Sequence, residues 1–220
     1  KSSTLLRRIE RRITVHGLPD MHAYCLFLER NPSEIDLLFK ELLIGVTSFF
    51  RDPLVWDYLE KSSLPAMLNE LPRPYRFRAW CAGCSTGEEA YSLAMVLTDV
   101  LEQLSEKKDI EVQIFASDLS ADAIAFARRG KYPLSIASQI SSERLAKHFV
   151  LKNETYVVNQ NIRDRVLFAQ HNVVLDPPFT KLDLLVCRNL LIYFDAQLQQ
   201  RLFPLFHYSL KTGGLLLLGS

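Results

Sequence analysis

Two glutamates open a predicted helix at a corner where other folds bind phosphate. The stretch Trp80–Met95, WCAGCSTGEEAYSLAM, reads as a buried strand, a turn of small residues and an amphipathic helix beginning with Glu88 and Glu89. Glycine-rich strand-to-helix corners hold anions because a helix N-terminus presents free N–H groups and the positive end of its dipole. Carboxylates at such a corner favour a cationic group instead. Gly83 and Gly87 let the backbone turn tightly and approach a ligand closely. The next predicted strand ends in ASD, placing Asp118 at its carboxyl end. An acidic residue there accepts ribose hydroxyls in dinucleotide-binding folds. Each signal has a plainer reading, since acidic residues at helix starts also serve as dipole partners. On consecutive strand ends, the two together point to a ligand with a positive group and a ribose.

The elements that must hold these residues alternate. RFRAWCA, EVQIFASD, RVLFAQHNV, KLDLLVCRN and GGLLLLGS read as strands. EEAYSLAMVLTDVLEQL, SADAIAFARRG (capped by Ser120) and DAQLQQRLFPLFHYSL read as helices. This order implies crossover units and a parallel sheet, with ligands at the carboxyl ends of the strands. Between 131 and 165 the alternation breaks. FVLKNETYVV reads as a hairpin turning at Asn153-Glu154, within a small antiparallel insertion, because so short a connection cannot join parallel strands. The first 70 residues read as helices, with Ser33 and Asp52 as caps, Pro53 at a first helical position and a kink at Pro65. The predicted organisation is a helical domain over 1–70, a linker LPRPYR over 71–76, and an α/β domain over 77–220.

The chain has 220 residues, 48% of them hydrophobic, enough for a sizeable core, and a net charge of +1, so no global field argues for nucleic acid or a membrane. No run of about 18 apolar residues suggests a spanning helix. The chain does not begin with Met and reads as part of a longer protein. It stops just after the fifth parallel-type strand, where sheets of this kind usually add an antiparallel hairpin. The four cysteines, Cys25, Cys81, Cys84 and Cys187, are scattered in apolar runs and read as reduced, buried and cytosolic. Cys81-x-x-Cys84 alone could be half of a zinc site or a redox pair, but no second pair or histidine cluster completes a metal site, and none is expected. His171 reads as structural, and the other histidines as surface residues.

LLIGVTSFFRD (Leu42–Asp52), WCAGCSTGEEAYSLAM, FASDLSADAIAFARRGKY (Phe115–Tyr132), DLLVCRNLLIYF (Asp183–Phe194) and the ending LKTGGLLLLGS, in this order, resemble the CheR-type chemotaxis receptor methyltransferases. IGVTSFFRDP and GGLLLLGS look most like the versions fused to methylesterase and sensor domains. The resemblance implies a Rossmann-like methyltransferase domain with an antiparallel insertion, preceded by an all-α domain. It implies S-adenosylmethionine as cofactor, S-adenosylhomocysteine as product, and methyl-ester formation on receptor glutamates in the cytoplasm. S-adenosylmethionine carries an ammonium, a sulfonium and a ribose but no phosphate, which suits the corner. By motif position, Thr47, Arg51, Gly83, Glu88 and Glu89 would hold the cofactor, with the ammonium on Glu88 and secondarily on Glu89. Asp118 would take the ribose, and Asn172 and Val173 would flank the adenine. Arg188, Asn189 and Tyr193 would line the methyl-transfer end, with Arg51 and Tyr193 as the catalytic pair. Many relatives have Asn where this chain has Gly45, which implies weaker cofactor binding.

Plainer alternatives stand beside these roles. Arg51 pairs with Asp52 or caps a helix; Tyr193 and Phe194 are core aromatics; Asn172 is a turn residue; Asp195 is a helix cap. Arg7, Arg8, Arg11 and Arg12, with Lys1, concentrate positive charge on the first helix. They form either a solvated face or a docking surface for acidic receptor helices. A small-molecule methyltransferase of the same fold and a non-catalytic S-adenosylmethionine-binding sensor or scaffold are the competing functions.

Overall fold

The computed structural model describes residues 2–42, 47–104 and 109–219. Lys1 and Gly45 lie outside the described residues. The chain divides into two compact units, Lys1–Val46 and Thr47–Ser220.

The first unit holds α1 (Ser2–Val15), α2 (Met21–Arg30) and α3 (Pro32–Leu42). Asp20 caps α2, accepting from Ala23 N at 2.8 Å. Helix α3 starts at Pro32, so Ser33 lies inside it rather than capping it; proline suits a first helical position because its missing N–H would be unpaired there anyway. The arginines of α1 divide into two pairs. Arg12 reaches Glu34 through Nε at 2.8 Å and Nη2 at 2.5 Å, and Glu41 through Nη1 at 3.2 Å. Arg8 Nη1 donates to the carbonyls of Glu41 and Leu42 at 2.6 and 3.0 Å, satisfying acceptors that the end of α3 leaves without helical donors. Of the four arginines expected to form one face, Arg8 and Arg12 hold α1 to α3, and only Arg7 and Arg11 are exposed. Glu34 is buried and also accepts from Tyr24 Oη at 2.8 Å. Its hydrogen bond to Arg12 pulls the carboxyl down to about 2, while burial pushes Tyr24 up to about 12.

The second unit opens with α4 (Pro53–Tyr58), a π-helical turn (Leu59–Ser63) and α5 (Leu64–Glu70), one run whose spacing widens just before Pro65. Trp56, Leu59, Leu64 and Leu68 bury into this unit's core. The predicted boundary at residue 70 is thus corrected to 46/47 by where the apolar face of that run is buried. The linker expectation over 71–76 also shortens, because β1 begins at Tyr75.

The remaining elements are β1 (Tyr75–Ala82), α6 (Glu88–Gln103), β2 (Ile110–Asp118), α7 (Ala121–Arg129), β3 (Lys131–Pro133), α8 (Ser142–His148), β4 (Phe149–Lys152), β5 (Thr155–Val158), α9 (Gln160–Arg163), β6 (Val166–Gln170), β7 (Leu182–Cys187), α10 (Ala196–Ser209) and β8 (Leu210–Leu218). The main sheet runs β6-β2-β1-β7-β8 with every pairing parallel. The insertion is an antiparallel sheet, β3-β5-β4. Its hairpin turns at Asn153 and Glu154 as expected, both left-handed at φ 45° and 58°, the backbone a tight two-residue hairpin requires. The third strand, β3, has no counterpart in the sequence reading.

Phe77, Ala79 and Cys81 of β1 face α6; Trp80 and Ala82 face the α10 side with Leu202 and Phe206. Every residue of α6 from Ala90 to Val100 is buried, so Asp99 needs internal partners. It accepts from Arg144 Nε at 2.9 Å and Lys147 Nζ at 2.6 Å, and pairs with His148 Nε2 at 2.9 Å. His148 is buried, which corrects its reading as a surface residue. Of the cysteines, Cys25 is exposed and the other three are buried. Among the described residues no helix is long and apolar enough to cross a membrane.

The depressed Glu34 carboxyl has a sign that can be checked. A folded-state value near 2 against an ordinary 4.5 contributes stability that is present above about 4.5 and lost as pH falls through about 2. Glu34→Gln is expected to cost about 1–3 kcal/mol at pH 7. It is also expected to flatten the acid-side loss seen in the parent. Urea unfolding at pH 7 and at about pH 3 measures both, and identical pH slopes in parent and variant would count against the ion pair.

Candidate functional site

The turn after β1 is set by glycine geometry and by the end of β2. Gly83 and Cys84 donate their N–H groups to Ser117 O at 2.8 and 2.9 Å, tying the turn to the neighbouring strand. Gly83, Ser85 and Gly87 are left-handed, at φ 76°, 49° and 96°. At Gly87 a Cβ would come within 2.8 Å of Ala127 Cβ and 3.1 Å of Tyr132 Oη. Conformation and close approach therefore both demand glycine there. Tyr132 of the insertion donates its hydroxyl to Thr86 O at 2.8 Å, so this face of the turn is closed by protein.

Asp118 stands at the carboxyl end of β2. Its two oxygens accept from Ser85 N at 2.8 Å and Ser120 N at 2.9 Å, and its carbonyl accepts from His171 N at 3.0 Å. One residue thus joins the turn after β1, the start of α7 (capped by Ser120 as expected) and the segment leaving β6.

Glu88 and Glu89 are adjacent on α6 and differ in environment. Both oxygens of Glu88 lie within hydrogen-bonding distance of Thr86 Oγ1, at 2.9 and 2.7 Å. Burial pushes its carboxyl up, and the hydroxyl offsets part of that. Glu88 makes no ion pair among the described residues. Glu89 accepts from Arg188 Nη1 at 3.1 Å. Burial pushes Glu89 up to about 7, against the pull of Arg188 and Arg51, with Asp52 adding to the rise.

Arg188 leaves the end of β7 with its side chain 1% exposed. Nη2 donates to Arg51 O at 2.9 Å and Asp52 Oδ2 at 2.6 Å, and the guanidinium carbon lies 5.7 Å from the centre of the Trp56 ring. Trp56 Nε1 donates to the same Arg51 carbonyl at 2.9 Å. Asp52 occupies the cap position of α4 as expected, but its side chain makes no capping hydrogen bond and turns to Arg188 instead. Sequence reasoning missed Asp52 and Trp56 as members of this site. Asp-Pro before a helix reads as a cap, and nothing in the sequence marks Trp56 out.

The structure brings Arg51, Glu88, Glu89, Asp118, Arg188 and Asn189 to the carboxyl ends of three adjacent strands, β2, β1 and β7, or to segments bonded there. Asn189 is left-handed at φ 56°. Tyr193, in the short 3-10 turn Leu191–Tyr193, is 47% exposed, so it is not a core aromatic. Phe194 does pack on the α10-side core. Asp195 caps α10, accepting from Leu198 N at 2.8 Å. Asn172 Oδ1 accepts from Val174 N and Leu175 N at 3.0 and 3.3 Å, a turn role, and Val173 packs on the core beside it. Thr47 is half-buried at the start of this unit. Arg7, Arg8, Arg11 and Arg12 belong to the other unit. Burial pushes the Cys81 and Cys84 thiols well up, away from the thiolate that redox or metal chemistry needs.

Family models match both parts of the chain: "CheR methyltransferase, SAM binding domain" over residues 45–220 and "CheR methyltransferase, all-alpha domain" over 1–43. An uncharacterised 104.1 kDa protein of Rhodobacter capsulatus is 39% identical over 219 residues; the match covers 100% of this chain and 23% of that protein. A chemotaxis protein methyltransferase of Listeria monocytogenes is 32% identical, over 100% of this chain and 80% of its own length. Chemotaxis protein methyltransferase 1 of Pseudomonas aeruginosa is 35% identical, over 84% of this chain and 68% of its own length.

Asp118 carries structure as well as any ligand. Asp118→Ala removes a charged acceptor from two backbone N–H groups and is expected to cost about 1–3 kcal/mol, read from urea midpoints without added ligand. A variant as stable as the parent would mean that the turn after β1 holds its shape without Asp118.

Proposed function

The chain belongs to the CheR methyltransferase family, and on that premise we propose that it transfers a methyl group from S-adenosylmethionine to glutamate carboxylates of a chemoreceptor or similar signalling protein. The observation that carries this reading is the pair Glu88, opening α6, and Asp118, ending β2, on either side of a turn that presents carboxylates where a phosphate site presents bare N–H groups.

The residues present fit S-adenosylmethionine. Glu88 is drawn partly out of water without an ion pair among the described residues, so a ligand ammonium would supply the charge it lacks. Asp118 uses one acceptor position on each oxygen for backbone N–H groups and keeps others for ribose hydroxyls. Gly83 gives the turn its close backbone. Asn172 and Val173 would flank the adenine, and Thr47, Arg51, Asn189 and Tyr193 would line the methyl-transfer end. Glu89 is matched internally by Arg188, which favours Glu88 as the ammonium partner.

When bound, S-adenosylmethionine supplies an electrophilic methyl group on a cationic sulfur. A substrate glutamate has an ordinary pKa of about 4.3 and arrives ionised, so the chain needs no general base. Its residues have to align that carboxylate and keep water from it. A cation gripping the carboxylate strongly would stabilise the ground state and slow the step. Arg188, the most buried cation here, is already committed to Asp52, Glu89 and the Arg51 carbonyl, which leaves lighter orientation to Arg51 and Tyr193.

The test is incubation with receptor-containing membranes and methyl-labelled S-adenosylmethionine. Label released as methanol by mild base is expected, since methyl esters hydrolyse readily. Base-stable label would point to another acceptor, and no protein label would defeat the proposal. The exposed pair Arg7 and Arg11 is the candidate receptor contact. Replacing both with Ala is expected to raise the apparent KM for receptor at low salt while sparing S-adenosylhomocysteine affinity. Each exposed pair is worth only about 0–1 kcal/mol, so activity should fall without vanishing. Unchanged receptor kinetics would make this a solvated face.

A further inference from the structure

Arg51 sits in an unusual backbone setting. The residues on both sides of it are left-handed: Phe50 at φ 49° and Asp52 at φ 58°. Neither is glycine, and for a bulky residue such as Phe this conformation is a true outlier. Strain of this kind persists only where the surroundings impose it, and it gathers at functional positions. The surroundings here can be named. On one side, Phe50 N donates to Ser92 Oγ at 3.1 Å, and its buried ring meets Trp56 edge-on at 5.7 Å beneath the Arg144 guanidinium at 4.9 Å. On the other, Asp52 binds Arg188, Pro53 fixes the chain direction, and Arg188 and Trp56 both donate to the Arg51 carbonyl.

We propose that Asp52 is a positioning residue: through its ion pair with Arg188 it holds the left-handed turn that sets where Arg51 stands beside the carboxyl ends of β1 and β7. This rests on the reading above that Arg51 faces the bound cofactor. The stability of the unit gives no evident reason for the arrangement. Glycine would accept φ 58° at no steric cost, and a capping side chain would serve α4 better than one turned away. Asp in this position gives up both. In return the turn gains a charge-assisted hydrogen bond of 2.6 Å to a buried guanidinium. Asp52 and Glu89 hold Arg188 from two segments, so its position is fixed rather than free to follow a ligand.

A structural role and a positioning role separate in one set of variants of the full chain. Asp52→Gly removes the ion pair and accepts the same backbone angle; with Arg188 left to Glu89 and the Arg51 carbonyl, its thermal midpoint is expected to fall by several degrees while the chain stays folded at about 25 °C, where affinity is read. Its affinity for S-adenosylhomocysteine, read by calorimetry, is expected to fall roughly five- to tenfold, because Arg51 is no longer held in place before the ligand binds. In an Arg51→Ala background the same substitution is expected to change affinity by less than about twofold, because the residue it positions is gone. Asp52→Asn, which keeps shape without charge, is expected to lie between parent and Asp52→Gly. Equal losses in both backgrounds, or undiminished affinity of Asp52→Gly in the parent background, would overturn the inference. A parent that binds S-adenosylhomocysteine yet methylates no receptor would defeat the proposed function and leave this inference standing.

Discussion

The guanidinium of Arg188 is the interaction on which the site depends. Its side chain is 1% exposed, so its charge has left water and must be matched within the protein. Its matches come from distant parts of the chain: the carbonyl of Arg51, the carboxylate of Asp52 and the carboxylate of Glu89. One cation therefore fastens the turn before α4 and the first turn of α6 to the end of β7. The same contacts account for the ionisation of Glu89, which burial pushes up to about 7 and which Arg188 and Arg51 pull back. Glu89 is thus balanced internally, whereas Glu88 makes no ion pair among the described residues.

A second buried cluster secures the insertion. Asp99, deep in α6, binds Arg144, Lys147 and His148 on and beside α8, and Arg144 continues to Glu60 on the π-helical turn. The Arg144 guanidinium also covers the ring of Phe50. The three hydrogen bonds hold the Asp99 carboxyl well below the usual carboxylate range despite its burial. Through this cluster the insertion, the helix that starts at Glu88 and the residue before Arg51 share one set of charges.

Local chemistry made much of this legible in the sequence. Strand–helix alternation predicts a parallel sheet, Ser120 and Asp195 cap the helices they precede, and Asn153-Glu154 turns the hairpin. Motif positions also lead to the start of α6 and the ends of β2 and β7, where Glu88, Asp118 and Arg188 stand. The readings that failed depended on partners far away in the chain. The charge density of α1 is visible in the sequence, but the partner of Arg12 is Glu34, 22 residues on. His148 looks like a surface residue until Asp99, 49 residues earlier, is placed beside it. The run from Pro53 to Glu70 is helical in either reading, and only the burial of Trp56, Leu64 and Leu68 assigns it to the second unit. Asp52 follows the sequence rule for a cap in position and departs from it in side-chain direction, because a buried cation competes for its carboxylate.

Arg188 is a structural cation that holds the site together. The most direct measurement is the equilibrium unfolding free energy of Arg188→Met against the parent at pH 6 and pH 8. Removing one member of a buried ion pair costs about 3–5 kcal/mol, and a loss of that order is expected at pH 8. A smaller loss is expected at pH 6: without Arg188 the buried Glu89 carboxyl can take up a proton in the folded state, while in the unfolded chain it ionises at an ordinary value. A variant as stable as the parent at both pH values would contradict the account.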